Sequence, residues 1–451
     1  MSMTSDPADP DTATGIKAQH ERLRFASLAD VELVAAVARR LAVPRAGPAD
    51  SFVLHAPLEL TARASLLPFV RPDARAQARL RLTSLLVGYE ASGPGIDGPE
   101  PGPDEPDHGM SRDSRFAAPD TAATTLVGAI DAGDLTAIDA AASWLGRATT
   151  PAQLQTLLSH DVLARLGAAA HASIFLYHLP RVAPRGEVTG ELLRGLSREL
   201  GRQPDWRLHW IDDEPARAPR SAPSIPGALF DALASTPLEA EPERFFIFPT
   251  MAHVDQNGTA AALLHDVTDL HGVDERAAHA ALATRGREVL CAAAWSMLLE
   301  PDDHAPYGWS HCLTLPQAAL GVAPSTPAPG RALAVAATYV VGFRSALARR
   351  PLTPTFPEPD PGIDLRHALA TQPESAAAAA WHATEADAAT ILSELATNAA
   401  TQHDAHLVKY TLACIDAAAA DPVHARLFLA AAAHLAGWWI RHGNADDPLA
   451  F

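Results

Sequence analysis

Apolar residues recur along most of this chain three and four positions apart, which is the spacing that lines one face of an α-helix. Thr150 followed by Pro151 is typical of a helix start, because a threonine side chain caps the first turn and proline suits the first helical position. Helices are predicted over residues 28–43, 58–70, 73–89, 121–132, 134–147, 274–299, 331–349, 384–401, 403–418 and 422–441, and from Thr150, with a break, to residue 179.

Strand signals are sparse by comparison. Residues 244–249 (RFFIFP) combine aromatic and β-branched side chains and predict one short strand. Clusters of proline, glycine and aspartate interrupt the helices, and the longest predicts a mobile loop at about residues 91–120. Residues 1–25 are predicted to form a flexible N-terminal tail, and residues 26–451 a single helical domain. We therefore expect an all-α fold, a large irregular helical domain with long Pro/Gly-rich loops.

Composition favours the same class and limits the partners. Of the 451 residues, 94 are alanine and only 6% are aromatic. Alanine is the best helix former, whereas β-sandwiches and barrels are enriched in β-branched and aromatic residues. A formal net charge of −18 repels nucleic-acid phosphates and anionic membrane surfaces. The longest apolar runs, residues 333–343 and 427–440, are shorter than a membrane span. We expect neither a nucleic-acid partner nor membrane association.

Cysteine use and the N-terminus indicate the compartment. The three cysteines, Cys291, Cys312 and Cys414, lie far apart and form no CxxC pair. An odd, scattered set of this kind is not a disulfide framework. The first residues are polar and acidic, which is unlike a secretory signal peptide. A cytoplasmic location is therefore expected.

Lysine is rare enough here to single out one position. Only two of the 35 cationic residues are lysines, Lys17 and Lys409. Lys17 lies in the polar tail, but Lys409 lies in an apolar helical pattern. One interpretation is a lysine whose stem packs while its ammonium reaches water. The other is a buried, neutral amine, which can react with carbon dioxide to form a carbamate, an anionic ligand for a metal.

Several of the twenty histidines lie in apolar surroundings, where an imidazole needs a hydrogen-bond partner or a metal. His55, His171 and His311 are of this kind, and each alone is more often a satisfied core histidine than a ligand. His178 follows His171 on the same predicted helix face at about 10 Å, which is too far for one shared metal. His406 precedes Lys409 by three positions, so both side chains lie on one helix face. Imidazole ligands suit iron, zinc, copper or nickel.

At these residues the chain is similar to the questin oxidase-like family. The similarity extends over about residues 50–440 and is concentrated in four segments. Two of them surround His55 and His171. The others are SHCLT, which contains His311, and DAHLVKY, which contains His406 and Lys409.

The resemblance implies a non-haem iron oxygenase of secondary metabolism. Members of the family open an anthraquinone-like ring of an aromatic polyketide by oxidative C–C cleavage or a Baeyer–Villiger-like reaction. Carried over by motif, His55, His171 and His311 would be iron ligands, and Lys409 would be the carboxylated lysine. His406 would be a fourth imidazole or a residue that orients a ligand. The implied partners are an aromatic small molecule and molecular oxygen. No sequence feature indicates a catalytic residue beyond the metal centre, a site for a reductant such as NADPH, or an oligomeric state.

Two other functions fit parts of the same pattern. A metallohydrolase could hold zinc with a carbamylated lysine and histidines, although such sites usually add an Asp or Glu ligand. A non-catalytic helical binding protein of a natural-product pathway would have scattered histidines and a solvent-facing Lys409.

Overall fold

The computed structural model describes residues 12–46, 51–96, 116–182, 187–212, 247–268, 275–299, 307–349, 352, 363–443 and 449. These residues form nineteen α-helices joined by short turns and 3₁₀ segments. The β-type pairing among them is limited to isolated bridges, such as the one between Arg45 and Gly95. The predicted all-α class is confirmed.

The chain divides into two compact units. The first contains residues 1–67, 75–207 and 448–451, and the second contains residues 68–74 and 208–447. The assignment of residues 26–451 to one domain stays a prediction, and the two units are described separately below. No helix in the described part of the chain is both long and apolar enough to cross a membrane.

The described residues of the first unit contain nine helices. Its closest packing joins the sixth helix to the ninth, and the third helix packs on the eighth. In chain order the helices are α1 Ala13–Arg22, α2 Asp30–Leu41, α3 Ser51–Leu66, α4 Arg75–Ala91, α5 Pro119–Ala132, α6 Leu135–Ala148, α7 Pro151–Ala164, α8 His171–Val182 and α9 Glu187–Gly201.

Side-chain caps fix two of these helix starts where the sequence predicts them. The Asp134 carboxylate accepts hydrogen bonds from the backbone N–H groups of Thr136 and Ala137, both at 3.1 Å. The Thr150 hydroxyl accepts from the backbone N–H of Gln153 at 3.3 Å, and the Gln153 amide oxygen accepts from the backbone of Thr150 at 2.8 Å. This reciprocal pair is a capping box, which satisfies N–H groups that the first turn leaves unpaired.

The second unit contains ten helices in its described residues, arranged around one apolar helix. Residues 332–346 of that helix are buried on every side, so four neighbouring helices cover it. In chain order the helices are α10 Ile247–Gln256, α11 Thr259–Thr268, α12 Glu275–Leu299, α13 Tyr307–Val322, α14 Pro329–Leu347 (the central helix), α15 Leu365–Thr371, α16 Ala376–Trp381, α17 Ala388–Thr401, α18 Ala405–Ala420 and α19 Ala425–His442.

Part of the predicted N-terminal tail is helical. Residues 1–11 lie outside the described residues, but Ala13–Arg22 form α1. Ile16 and His20 of this helix are buried, and the His20 ring shares a 2.7 Å hydrogen bond with the Thr83 hydroxyl of α4. The predicted tail is therefore helical at residues 13–22, where one apolar position and a tertiary hydrogen bond hold an otherwise polar helix, and the assignment of residues 1–25 as a flexible tail stays a prediction.

The predicted loop at residues 91–120 lies mostly outside the described residues, which stop at residue 96 and resume at residue 116. Its first residues are held by backbone hydrogen bonds. The backbone N–H of Ala46 donates to the carbonyl oxygen of Pro94 at 2.8 Å, and the backbone N–H of Ile96 donates to the carbonyl oxygen of Pro44 at 2.8 Å. The loop's last two residues, Pro119 and Asp120, belong to α5.

The predicted strand at residues 244–249 is wrong where it can be compared. Residues 244–246 lie outside the described residues, and Ile247 begins α10. Thr250, Met251 and Val254 are buried on this helix, which packs against α14. The apolar run serves a helix–helix contact because the surrounding helices offer no sheet edge for it to pair with in the described chain.

Candidate functional site

A short left-handed turn leads into the candidate ligand His171. Ala168, Ala169 and Ala170 have φ values of 55°, 51° and 58°. Left-handed backbone costs a residue with a Cβ roughly 1–2 kcal/mol, so three consecutive alanines store strain here. The sequence predicts helix from Thr150, with a break, to residue 179, and the left-handed turn at residues 168–170 interrupts that range.

The strained turn is held by polar contacts to a later segment of the same unit. The backbone N–H of Ala168 donates to the Gln203 side-chain oxygen at 3.1 Å. The carbonyl of Trp206 accepts from the N–H groups of Leu166 at 2.8 Å and Gly167 at 3.2 Å. These bonds fix the geometry of the turn, and its carbonyl at Ala168 then points to the His171 ring.

His171 is oriented as metal-binding histidines commonly are. It begins α8, is 1% exposed, and its Nδ1 lies 2.9 Å from the Ala168 carbonyl oxygen. A carbonyl only accepts, so Nδ1 must donate, and the ring lone pair is on Nε2. A second-atom hydrogen bond of this kind fixes the tautomer and raises the basicity of the ligating nitrogen.

His55 lies next to His171 in the first unit. The sequence predicts the helix only from residue 58, but α3 begins at Ser51 and contains His55 as well as Pro57. His55 is 9% exposed, and its ring centroid is 4.6 Å from that of His171 at an interplanar angle of 46°. Two buried imidazoles from α3 and α8 are therefore in direct contact.

A small cavity of about 30 Å³ lies beside His171 in the first unit. Its walls include Phe175, Tyr89 and Glu199. Burial raises the pKa of Tyr89 to about 12, and burial also raises the pKa of Glu199 above its ordinary value although nearby arginines act against this. The cavity has room for a water-sized group and not for an aromatic substrate, since ligand sites of that kind are roughly 300–1,000 Å³.

His178 is the other candidate position on α8. It is 8% exposed, and its ring centroid is 4.7 Å from that of Tyr177. Its place two turns beyond His171 agrees with the expectation that the two do not share a ligand position.

His311 is anchored in the second unit in the same way as His171 is in the first. It lies on α13, and its Nδ1 donates to the carbonyl of Tyr307 at 2.7 Å, so the lone pair is on Nε2. The ring is nearly parallel to that of Phe343, at 6.4 Å and 13°. The ring of His406 meets it edge-on at 5.1 Å and 78°.

His406 is the second residue of α18 and is positioned by Asp404. The Asp404 carboxylate caps the helix by accepting from the N–H groups of His406 at 2.7 Å and Leu407 at 2.9 Å. Its other oxygen lies 3.6 Å from Nδ1 of His406. Burial acts to raise the pKa of Asp404, but its contacts with His406 and these backbone N–H groups outweigh burial and hold the pKa below the ordinary value. Asp404 is thus an anion beside the imidazole.

Lys409 lies in the interior of the second unit, one turn after His406 on α18. It is 6% exposed, in a helix whose residues 407–415 are all buried. This burial favours the buried-amine interpretation over a lysine at the helix surface, and the charge state of Lys409 stays a prediction. Burial disfavours a charged ammonium in general, which is the condition that carbamate formation needs.

Within the first unit the structure brings together His55 and His171. Within the second unit it brings together His311 and His406, with Lys409 on the same helix as His406. Sequence reasoning missed Tyr307, whose carbonyl holds His311 and whose ring lies 4.7 Å from that of His406. Its position four residues before His311, one helical turn away, is the signal that could have identified it.

Three comparisons with known proteins found nothing that matches. No family model, no curated protein and no solved structure matches this chain. The resemblance to the questin oxidase-like family therefore rests on the four segments around the candidate histidines and Lys409.

Proposed function

We propose that this chain is a metal-dependent oxidoreductase, a cytoplasmic non-haem iron oxygenase that opens the ring of an aromatic polyketide. The proposal keeps the ligand set that the resemblance implies, His55, His171, His311, His406 and a carbamylated Lys409. It is supported by the chemistry of the donors in each unit.

The observation that carries the proposal is the state of His171. Its Nδ1 is committed to a main-chain carbonyl in a strained turn, which leaves Nε2 as the ligating atom next to a second buried imidazole. A core histidine does not need a strained turn to satisfy one ring nitrogen, whereas strain of this kind clusters at functional sites. His311 has the same Nδ1 anchor in the second unit.

This donor set fits iron, because imidazoles and an anionic oxygen are ligands that iron accepts. A bound iron would supply the redox chemistry that allows molecular oxygen to react with an electron-rich aromatic carbon. The chain's own residues have simpler tasks. The carbonyls of Ala168 and Tyr307 hold the imidazole tautomers, and the apolar helices keep water from the ligands.

Lys409 would supply the anionic oxygen. A neutral lysine amine adds to the carbon of CO₂, the new N–C bond forms, and one proton leaves the nitrogen, so the product is a carbamate anion. Arginine cannot form this ligand, which accounts for a lysine at this position in a chain that otherwise uses arginine.

The test is the metal content of protein purified without chelator and with bicarbonate present. We expect one iron per chain in the native protein and its loss in Lys409→Ala, Lys409→Arg and His171→Ala. His178→Ala is the matched control on the same helix and should retain iron. Labelling with ¹³C-bicarbonate should give a carbamate signal in the native protein that is absent from Lys409→Arg.

Other outcomes contradict the proposal. If Lys409→Arg keeps its iron, the carbamate is wrong. One zinc per chain in place of iron would favour a hydrolase, and the absence of metal from every preparation would favour a binding protein. With iron present, oxygen consumption in the presence of anthraquinone-type phenols is the measurement that tests the substrate class.

A further inference from the structure

A second set of metal-ligating side chains lies within the second unit, away from the histidines discussed above. Cys291 is on α12, Asp421 follows the last residue of α18, and His424 precedes α19. One ligand atom from each residue lies within 4.8 Å of the other two. The proposed oxygenase uses none of these residues.

The turn between α18 and α19 presents two of these groups together. The N–H of Asp421 donates to the carbonyl of Ala417 at 2.9 Å, and Asp421 is 3% exposed. Nδ1 of His424 lies 2.7 Å from an Asp421 carboxylate oxygen. Without an ion the carboxylate accepts from Nδ1, and an ion held here would take the place of the Nδ1 proton, so that Nδ1 and the carboxylate oxygen become ligands together.

These residues line a pocket of about 440 Å³. Trp295 and Leu352 form part of its wall, and Glu288 lies one helical turn before Cys291 on α12. One carboxylate oxygen of Glu288 is buried and has no hydrogen-bond partner among the described residues. A buried carboxylate oxygen without a donor is costly, and a cation or its bound water would satisfy it. This observation is independent of the three ligand positions and points to the same pocket.

We propose that Cys291, Asp421 and His424 bind a transition-metal ion such as Zn²⁺ or Co²⁺. The fourth coordination position of this ion would face the open pocket. Thiolate, imidazole and carboxylate together suit Zn²⁺ or Co²⁺ and not Mg²⁺ or Ca²⁺, which prefer oxygen ligands alone. Glu288 lies where it can accept a hydrogen bond from water at the open position.

The distances are close to what this ion needs. Bond lengths of about 2.0–2.3 Å in a tetrahedron put ligand atoms roughly 3.3–3.8 Å apart. In this structure the three ligand atoms lie within 4.8 Å of one another, so the largest separation exceeds this range by at most about one ångström. The His424 side chain is about half exposed, so it can shift to close this difference without moving the core.

The same three residue types could instead suggest a cysteine nucleophile with a histidine base. Burial raises the pKa of Cys291 to about 12, with Asp421 and Glu288 acting in the same direction and Arg287 against it. A thiol in that state is protonated at neutral pH and is a poor nucleophile. Metal binding differs from nucleophilic catalysis in that the ion itself displaces the thiol proton.

The test is titration of metal-stripped full-length protein with Co²⁺, because a cobalt–thiolate bond gives a charge-transfer absorption that other ligands do not. We expect this band in the native protein and its absence from Cys291→Ala and Cys291→Ser. Cys414→Ala removes a different cysteine and should keep the band. Asp421→Asn removes one of the three ligands and should weaken Zn²⁺ binding by more than roughly 100-fold, the upper end of what the loss of an outer-sphere partner costs, while leaving the fold, measured by circular dichroism, unchanged.

The outcomes also separate this site from the proposed iron centre. The band should persist in Lys409→Ala and His171→Ala, and Cys291→Ala should keep the native iron content if the oxygenase proposal is right. A native protein without the band would overturn the proposed Zn²⁺ or Co²⁺ site, as would a band that survives in folded Cys291→Ala and Cys291→Ser.

Discussion

Two of the most deeply buried arginines in the described residues are paired with carboxylates that lie close by in the fold. Arg63 and Arg165 are 1% exposed. Arg63 contacts the carboxylate of Glu59 at 2.6 Å, and Arg165 contacts Asp131 at 2.8 Å and Asp161 at 2.9 Å. Removing one partner of such a pair leaves an uncompensated buried charge, which is far more costly than losing an exposed ion pair. The rarity of lysine therefore has a structural counterpart, because the fork of arginine suits buried carboxylates.

His20 makes stability depend on pH. Burial lowers the pKa of His20, Arg79 acts in the same direction, and Glu21 acts against both. The unfolded chain keeps the ordinary value near 6.5, so it binds more protons than the folded chain as pH falls below that value. The free energy of unfolding should therefore decrease from pH 7 towards the lowered pKa of the folded state.

Urea unfolding of the native protein and His20→Gln at several pH values between 7 and 5 measures this contribution. Glutamine keeps a hydrogen bond to Thr83 within reach and cannot titrate. The variant should lose less stability over this range than the native protein. Equal slopes for the two proteins would show that His20 does not contribute to the acid sensitivity.

The sequence was sufficient to nominate the residues of the candidate site but not their orientation. His171 and His311 stood out because imidazoles in apolar surroundings need a partner. Their tautomers depend on carbonyls of Ala168 and Tyr307, whose directions follow from the backbone. The burial of Lys409 could not be predicted either. A lysine at the border of an apolar helix face can pack its stem against the core and still extend its ammonium into water.

At the scale of helices, the sequence predicts the bounds of a helix well where capping residues mark its ends. Residues 134–147 were predicted and Leu135–Ala148 observed, and residues 274–299 were predicted and Glu275–Leu299 observed. Local signals failed where a tertiary contact decides the structure. Tyr307–Val322 was not predicted, because Gly308 and Pro316 interrupt its pattern, yet burial of nearly the whole helix stabilises it. Hydrophobic burial outweighs the propensity cost of two glycines and one proline.

The left-handed turn before His171 is the strongest example of this kind. Three alanines predict a right-handed helix, but bonds to Gln203 and Trp206 fix the opposite hand. Ala169→Gly should relieve strain, because glycine occupies this region without the Cβ penalty. Ala140→Gly is the matched control, since Ala140 is equally half-buried but lies inside α6, where glycine costs about 1 kcal/mol.

We expect Ala169→Gly to be more stable than Ala140→Gly by roughly 1–2 kcal/mol in urea unfolding. An equal loss of stability in both variants would contradict the claim that the turn before His171 is strained. Iron retention in Ala169→Gly gives a second readout, because relief of strain without movement of the Ala168 carbonyl should leave His171 oriented as before.

At the scale of the whole molecule, the net negative charge lowers the stability of the fold, whereas the individual ion pairs raise it. The chain carries 53 acidic and 35 basic residues, a net charge of −18. A charge of this size destabilises a compact state through self-repulsion. Salt weakens that repulsion and also weakens exposed ion pairs, but it has little effect on buried pairs such as Arg63 with Glu59. The sign of the salt dependence therefore shows which of the two contributions is larger.

We expect the free energy of unfolding at pH 7 to increase when NaCl is raised from about 10 to 150 mM, which shortens the screening length from roughly 30 to 8 Å. The matched control is the same titration near pH 5.5, the pI of the sequence, where the net charge and hence the repulsion is small. KCl should reproduce the effect, because screening depends on ionic strength and not on the identity of the cation. Exposed ion pairs, such as Arg71 with Asp73, would outweigh the repulsion if salt lowered stability at pH 7 instead. Since the better-buried arginine pairs are shielded from added ions, we expect the repulsion to decide the sign.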